Sequence, residues 1–208
     1  MKKAENVRSC PQRDSTECEG YAGAQSAVQP GSGETAGRSQ NLLEAILYRD
    51  NLNRAYKRVK ANKGAPGVDG MTVEEARPWL KEHGKEMTEA IRRGKYKPTA
   101  VRRKEIPKPD GGVRKLGIPT VKDRIVQQAI AQQLIPLYEP KFSEGSYGYR
   151  PGRSAQDAIF KIRGYADEGY EWAVQLDLSK YFDTLNHEKL LNLLRETIKD
   201  ERVIQLIK

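Results

Sequence analysis

An aspartate in the C-terminal part of the sequence is the first side chain with a clear chemical use. In WAVQLDLSKYFD, Trp172 to Asp183, apolar residues at every second position predict a half-buried strand over Trp172–Leu178, with Asp177 on its polar side. Hard cations such as Mg²⁺ bind oxygen ligands, usually one or two carboxylates together with phosphate oxygens and water. Asp177 is therefore a candidate metal ligand, and a solvated acid at a strand end is the commoner alternative.

A concentrated run of cations precedes this acid in the chain. Residues 92–115 contain ten basic and two acidic side chains, so they hold +8 of the net charge of +9. Such a focused field attracts polyanions, with a solvated basic face as the alternative. An aspartate, phosphate-binding cations and an aromatic surface together indicate nucleotidyl transfer. The cations expected to contact nucleic acid are Arg92, Arg93, Lys95, Lys97, Arg102, Arg103 and Lys104.

The elements that must position these side chains read as an α+β arrangement. The turn signal PDGG, starting at Pro109, separates two extended runs and predicts a basic β-hairpin within Thr99–Thr120. The Gly/Pro-rich stretch 62–72 is predicted as a loop, and Thr72 with Glu75 as a capping box. Helical spacing predicts helices over 41–59 with an interruption near Asp50, from Thr72 to about 83, and over 85–93, 122–137, 155–166 and 186–198.

The first 40 residues differ in composition from the rest. They are rich in Gly, Ser, Gln, Glu and Ala, which predicts a disordered tail or one that orders on a partner. Cys10 and Cys18 lie there without neighbouring His or Cys, so we expect neither a disulfide framework nor a zinc site, but a reducing cytoplasm. No run approaches the roughly 18 apolar residues of a membrane span, and no secretory signal is expected.

Four motifs, in order, carry a family resemblance. They are NKGAPGVDGMT from Asn62, IPKPDGGVRKLGIPTVKDRIVQQAI from Ile106, YGYRPGRSAQDAI from Tyr147 and LDLSKYFDTLNH from Leu176. Over residues 41–208 the chain resembles the N-terminal part of a bacterial group II intron reverse transcriptase and maturase. The resemblance implies a right-hand polymerase fold, with a helical N-terminal extension over 41–98, fingers over 99–171 and a partial palm over 172–208.

The resemblance also implies roles for individual residues. Asp177 matches the first palm aspartate, a ligand of both catalytic Mg²⁺ ions, and the backbone carbonyl of Leu178 matches a second ligand of one ion. Phe182 matches the aromatic residue that excludes a ribose 2′-hydroxyl. Lys108 and Arg114 match the fingers residues that bind the triphosphate, and they flank the hairpin turn.

Other residues near these motifs have more than one interpretation. Arg150 and Arg153 are expected to contact template phosphates, with two exposed arginines at a helix start as the alternative. Asp183 and His187 are expected to be structural or surface residues rather than catalysts. The tyrosines of the third motif, Tyr147 and Tyr149, either pack or stack.

The implied function is RNA-directed DNA polymerisation, with an RNA template, a DNA primer, deoxynucleotide triphosphates and two Mg²⁺ ions, in a bacterial cytoplasm. Because no Tyr-Ala-Asp-Asp follows the first palm motif, we expect this chain to be inactive alone. Either the chain is a truncated fragment or a second chain supplies the remaining palm and thumb, and the unpaired palm strand is expected to favour a homodimer or pairing with such a partner. The alternatives are a non-catalytic RNA-binding, maturase-like module and a retron, diversity-generating or CRISPR-associated reverse transcriptase.

Overall fold

The computed structural model describes residues 41–109, 111–178 and 180–208. The predicted N-terminal tail, with Cys10 and Cys18, lies outside the described residues. The chain forms two compact units, whose described parts are residues 143–173 in the smaller unit and residues 41–142 and 174–208 in the larger unit. In the part of the chain that is described, no helix is long and apolar enough to cross a membrane.

The described elements are mainly helical, with one two-stranded antiparallel sheet, which agrees with the predicted α+β class. A short 3₁₀ turn spans Glu139–Lys141. In chain order the elements are α1 Leu42–Leu47, α2 Arg49–Ala61, α3 Ala76–Arg92, β1 Arg102–Pro107, β2 Val113–Ile118, α4 Val121–Tyr138, α5 Ala155–Asp167, α6 Tyr181–Thr184, α7 His187–Thr197 and α8 Glu201–Ile207.

Helix α4 is central to the core of the larger unit. Its Val121, Ile125, Val126 and Ala129 are buried, and α1 and α2 pack against it. Leu43 and Ile46 of α1 are fully buried in the same apolar cluster. Burial of apolar area of this kind is the main favourable term in folding, so α4 supports the packing of α1 and α2.

The interruption between α1 and α2 falls at Tyr48, slightly before the predicted position near Asp50. Tyr48 has extended backbone angles, φ −60° and ψ 137°. The buried side chain of Asn51 donates from Nδ2 to the Ile46 carbonyl at 2.8 Å and to the Ala129 carbonyl at 3.0 Å. The Asn51 amide thus supplies a donor to a carbonyl at the C-terminal end of α1, where partners within the helix run out. It also joins α1 and α2 to α4.

The loop 62–72 is held against the beginning of α4. Arg124 Nη2 donates to the Ala65 carbonyl at 2.8 Å, and Lys122 Nζ lies 3.5 Å from Asp69 Oδ2. Gly67 packs so closely that a Cβ atom would lie 2.7 Å from Thr120 Cα. The predicted capping box forms after this loop, because Glu75 N–H donates to Thr72 Oγ1 at 3.3 Å and Thr72 N–H donates to the Glu75 carboxylate at 2.8 Å.

Two predicted helix boundaries are wrong. The helices expected before and after Gly84 form one helix, α3, because residues on both sides of Gly84 bury the same face and one glycine costs only about 1 kcal/mol. Helix α3 also begins at Ala76 rather than at the predicted Thr72, whereas α4 matches the predicted 122–137 to within one residue at each end.

The strand predicted over Trp172–Leu178 is also wrong. This segment has no regular secondary structure, and its apolar side chains are exposed, with Trp172 at 95% and Leu176 at 90%. Within the described residues only β1 and β2 pair as strands. Alternation predicts which side chains share a face, but a strand forms only with a hydrogen-bonded neighbour, and the described residues supply none here.

Candidate nucleotide and nucleic-acid site

The hairpin between β1 and β2 has a defined register and a tight turn. Ile106 lies opposite Arg114, and beyond the strands the Lys108 N–H donates to the Gly112 carbonyl at 2.7 Å. The Gly111 N–H donates to the Lys108 carbonyl at 3.2 Å, and Gly111 has a φ of 81°, in the left-handed region that favours glycine. A three-residue connection that ends in such a glycine is a common hairpin geometry.

The register sorts the cations of the hairpin onto its two faces. Side chains two positions apart along a strand share a face, and directly opposite residues share a face across the pair. Lys108 and Arg114 therefore lie diagonally on one face, together with Arg102 and Lys104. The other face carries Arg103 and, directly opposite each other, Glu105 and Lys115.

The first of these faces is strongly cationic and open to solvent. Lys108 and Arg114 are exposed, as are Arg102 and Lys104. In residues 41–109, 111–178 and 180–208, none of these four cations forms an ion pair. Unpaired cations at diagonal positions are well placed to bind adjacent phosphate groups through charge-assisted hydrogen bonds.

The basic residues before the hairpin divide into paired and unpaired groups. Arg92 bonds Glu89 at 2.6 Å and Glu44 at 3.1 Å, and these hydrogen bonds, that to Glu89 first, raise the pKa of Arg92. Arg93 lies 4.0 Å from Glu89. Lys95 and Lys97 are exposed and, in the described part of the chain, form no ion pair. Arg92 is therefore committed to joining α3 to α1, whereas the two lysines remain available to a ligand.

Asp177 lies in the exposed extended segment. Among the described residues its carboxylate makes no hydrogen bond or ion pair. Leu178 is 70% exposed, and Phe182, in the short helix α6, is 81% exposed with its ring edge-on to Tyr181 at 5.4 Å between centroids. No three His, Cys, Asp or Glu side chains of the described residues come together. An unpaired carboxylate and a backbone carbonyl have the hard-oxygen chemistry that suits Mg²⁺, and they supply part of its ligand set.

The two arginines of the third motif stabilise their own loop. Arg150 is 7% exposed and donates from Nη1 to the carbonyls of Ser143 at 2.6 Å and Ser146 at 3.1 Å. Arg153 donates to the carbonyls of Glu144 and Ser146. Both guanidinium groups therefore order the loop before α5, and their predicted contacts with template phosphates stay a prediction.

The tyrosines of that loop take different positions. Tyr147 lies 5.3 Å from the Arg153 guanidinium, so it packs within the loop. Tyr149 is 97% exposed, and its φ of 58° is in the left-handed region. A non-glycine residue in this region is strained by about 1–2 kcal/mol, and such strain is often found at functional positions.

A pocket beside α3 is not among the predicted site residues. It encloses about 290 Å³ and includes Trp79 and His83, whose rings are stacked with centroids 5.0 Å apart. Its floor includes Asp123, which is 4% exposed and accepts hydrogen bonds from Tyr96 Oη at 2.5 Å and the Thr99 N–H at 3.1 Å. Burial and, after it, the bond to Asp123 raise the pKa of Tyr96. The sequence signal for this pocket was an aromatic residue and a histidine four positions apart in a predicted helix.

Comparison with known proteins shows which family this chain resembles. Residues 106–207, from β1 to the end of α8, match the family described as reverse transcriptase (RNA-dependent DNA polymerase). Residues 106–207 therefore belong to the reverse transcriptase family. Within it, the relatives named for introns confirm the predicted resemblance to group II intron reverse transcriptases and maturases.

Three relatives illustrate the extent of the match. Group II intron-encoded protein LtrA of Lactococcus lactis subsp. cremoris is 36% identical over 167 residues, which cover 80% of this chain and 28% of LtrA. The putative COX1/OXI3 intron 1 protein of Saccharomyces cerevisiae is 32% identical over 169 residues, covering 81% and 20%. Protein YkfC of Escherichia coli is 36% identical over 176 residues, covering 82% and 46%. The chain thus spans less than half the length of each of these relatives.

Proposed function

We propose that this chain forms the N-terminal extension, fingers and first palm segment of an RNA-directed DNA polymerase of the group II intron type. In this proposal residues 41–98, 99–171 and 172–208 are the three parts of a right-hand polymerase that extends a DNA primer on an RNA template. The observation that carries it is the open cationic face of the hairpin within a chain whose residues 106–207 match reverse transcriptases. The bacterial cytoplasm remains the predicted location.

The proposed nucleotide site uses the residues that the motifs identify. Lys108 and Arg114 bind the triphosphate of the incoming deoxynucleotide, since they are exposed, unpaired in the described part of the chain and on one face. Phe182 lies beside the sugar, where its ring leaves neither space nor a hydrogen-bonding partner for a 2′-hydroxyl. Its 81% exposure leaves the ring free to contact a nucleotide.

Asp177 and the Leu178 carbonyl are the proposed ligands of Mg²⁺ in this chain. The bound ions would neutralise negative charge on the transferring phosphate and stabilise the attacking oxygen of the primer. One carboxylate and one carbonyl leave further positions for water, phosphate and other carboxylates. The 208 residues contain no Tyr-Ala-Asp-Asp, so we infer that a further segment, in the same polypeptide or another, supplies the remaining carboxylates.

Primer extension tests this proposal. The chain is mixed with a polypeptide that carries the Tyr-Ala-Asp-Asp half, an RNA template with an annealed DNA primer, Mg²⁺ and deoxynucleotides. We expect extension in the mixture, and its loss in Asp177→Ala but not in the control Asp167→Ala, an exposed acid at the end of α5. Extension that persists in Asp177→Ala would overturn the metal assignment, and a mixture inactive with the unaltered chain would count against a polymerase.

The second candidate function is non-catalytic RNA binding, which the exposed cations of the hairpin and of residues 92–97 favour. It is distinguished by RNA affinity. If binding is the only function, Asp177→Ala leaves affinity unchanged and no mixture extends a primer. Replacing Arg102 and Lys104 by alanine then weakens binding, and the slope of log affinity against log salt falls by about 0.7–0.9 for each phosphate that is no longer bound.

A further inference from the structure

The pocket beside α3 combines an aromatic surface with two nearby lysines. Trp79, His83, Met87 and Ala90 recur along one side of the helix and form one wall. The Trp79 and His83 rings are nearly parallel, with an interplanar angle of 10°. Side chains at these spacings lie along the same side of the helix. Because the two rings stack on each other, the wall consists of their remaining faces and edges together with the apolar atoms of Met87 and Ala90.

The opposite wall is fixed before any ligand arrives. Asp123 holds the segment Tyr96–Thr99 through the Tyr96 hydroxyl and the Thr99 N–H, and it also accepts from Thr120 Oγ1 at 2.6 Å. Both oxygens of this carboxylate therefore have donors within the protein. A pocket with a fixed wall loses little conformational entropy on binding, which favours affinity.

The charges around the pocket favour an anionic ligand. Lys122 Nζ lies 5.0 Å from the centroid of the Trp79 ring, and Lys97 is exposed at the rim. Lys122 is shared with Asp69 at 3.5 Å, whereas Lys97 forms no ion pair with described residues. Glu86 is the one acid of the lining whose carboxylate is not occupied by internal donors among the described residues.

Size and surroundings narrow the class of ligand. A volume of about 290 Å³ is at the small end of ligand pockets, about 300–1,000 Å³, so the pocket takes a single ring system rather than a folded partner. It borders the basic segment 92–97 and the residues that lead into β1. A base that stacks on an aromatic pair while its phosphate contacts lysine is a common mode of single-strand binding.

We propose that this pocket binds one unpaired nucleotide of a single-stranded RNA, with its base against the Trp79–His83 pair and its phosphate near Lys97 and Lys122. The inference rests on the proposed nucleic-acid function and adds to it a second RNA contact, separate from the residues assigned to the incoming nucleotide. It gives the end of the proposed N-terminal extension a role in holding one extruded base.

Tryptophan fluorescence can report directly on this pocket. The chain has two tryptophans, and Trp172 is 95% exposed, so Trp172→Phe leaves Trp79 as the single emitter with little effect on packing. The probes are a decamer of adenosine ribonucleotides and the same decamer with abasic riboses. We expect the adenosine decamer to quench Trp79 emission at saturation and the abasic decamer to bind more weakly, by about fivefold or more, without quenching.

Two exposed lysines, one at the pocket and one away from it, allow a matched comparison of variants. Lys97→Ala removes the exposed rim cation, and Lys81→Ala removes an exposed lysine of α3 that does not line the pocket. In the Trp172→Phe chain we expect Lys97→Ala to weaken decamer binding and shift the quenching curve to higher concentration, with Lys81→Ala much less affected. Trp79→Ala is a poorer test, because the ring also packs against the core.

The outcomes of these binding experiments distinguish the pocket inference from the proposed nucleic-acid function. If both decamers bind with the expected salt dependence and neither quenches Trp79, the pocket does not hold a base, and nucleic-acid binding stands. Equal quenching by the abasic decamer would show that phosphate alone is bound, which also overturns the inference. If neither decamer binds, the proposed nucleic-acid function fails together with the pocket.

Discussion

At the scale of single residues, the two faces of the hairpin provide an internal comparison. In the completed polymerase, Lys108→Ala and Arg114→Ala each remove a charged donor to phosphate, so the KM for deoxynucleotides should rise about tenfold or more. Lys115→Ala is the control, because Lys115 lies on the other face opposite Glu105. Steady-state primer extension measures the KM, and an equal rise in Lys115→Ala would show that overall charge matters rather than position.

How well the sequence predicts the surroundings of a residue depends on whether local or distant contacts determine them. The positions of Lys108 and Arg114 follow from a local turn, since PDGG determines where the chain reverses. The commitment of Arg150 to the carbonyls of Ser143 and Ser146 could not be predicted, because it depends on how the loop folds back on itself. The acceptor role of Asp123 also depends on residues 24 and 27 positions away.

At the scale of elements, Asn51 of α2 connects three helices, because it donates hydrogen bonds to residues of α1 and α4. Asn51→Ala leaves the carbonyls of Ile46 and Ala129 without this donor and removes the acceptor of Gln132 and Gln133. We expect a loss of about 2–3 kcal/mol in the free energy of unfolding, measured in urea. Asn53→Ala, at an exposed position of the same helix, should change it by less than about 0.5 kcal/mol.

Two glycines should respond to alanine in opposite directions. A Cβ at Gly67 would lie 2.8 Å from the Thr120 backbone nitrogen, so Gly67→Ala must displace the loop 62–72 and should destabilise the fold by about 1–3 kcal/mol. A Cβ at Gly84 meets nothing within 4 Å in the middle of α3, so Gly84→Ala should stabilise it by about 0.5–1 kcal/mol. Thermal unfolding of both variants tests the pair: a stabilising Gly67→Ala would contradict the packing described for Gly67, and a destabilising Gly84→Ala would contradict the open space at Gly84.

Element prediction failed where pairing is distant in sequence. The capping residue Ser154 acts on the Asp157 N–H three positions away, so the sequence locates the start of α5. The Thr72–Glu75 hydrogen bonds also form, but α3 begins four residues after Thr72, at Ala76. The segment Trp172–Leu178 has the alternation of a strand without a paired neighbour among the described residues. Gly84 was interpreted as a break on local preference, and tertiary burial of the helix face on both sides of it outweighs that preference.

At the scale of the whole molecule, Asp200 links stability to pH. Its buried carboxylate accepts from the Leu43 N–H of α1 at 3.1 Å and from Arg202 Nη2 at 2.9 Å. Burial on its own raises the pKa of Asp200, but the hydrogen bonds from Arg202 and Leu43 outweigh it and hold the pKa below its ordinary value. The ionised group therefore stabilises the folded state above the unfolded-state pKa, about 3.9, and this stability is lost as pH falls through the lower folded-state pKa.

This linkage predicts a pH-dependent effect of Asp200→Asn. The variant should unfold at lower urea concentration than the unaltered chain at pH 7, and the difference should shrink as the pH falls below about 4. Asp167→Asn, an exposed acid, should show little difference at either pH. A constant difference for Asp200→Asn across this range would mean that the charge of the carboxylate does not contribute.

The backbone of Tyr149 has a consequence for engineering. Glycine or asparagine would adopt its φ of 58° more readily than tyrosine, so a library selected only for heat resistance should replace this ring early. A library selected for copying RNA should keep the ring if it contacts the template or primer. The two selections would then diverge at a single codon, and the direction of that divergence would report what the exposed ring is for.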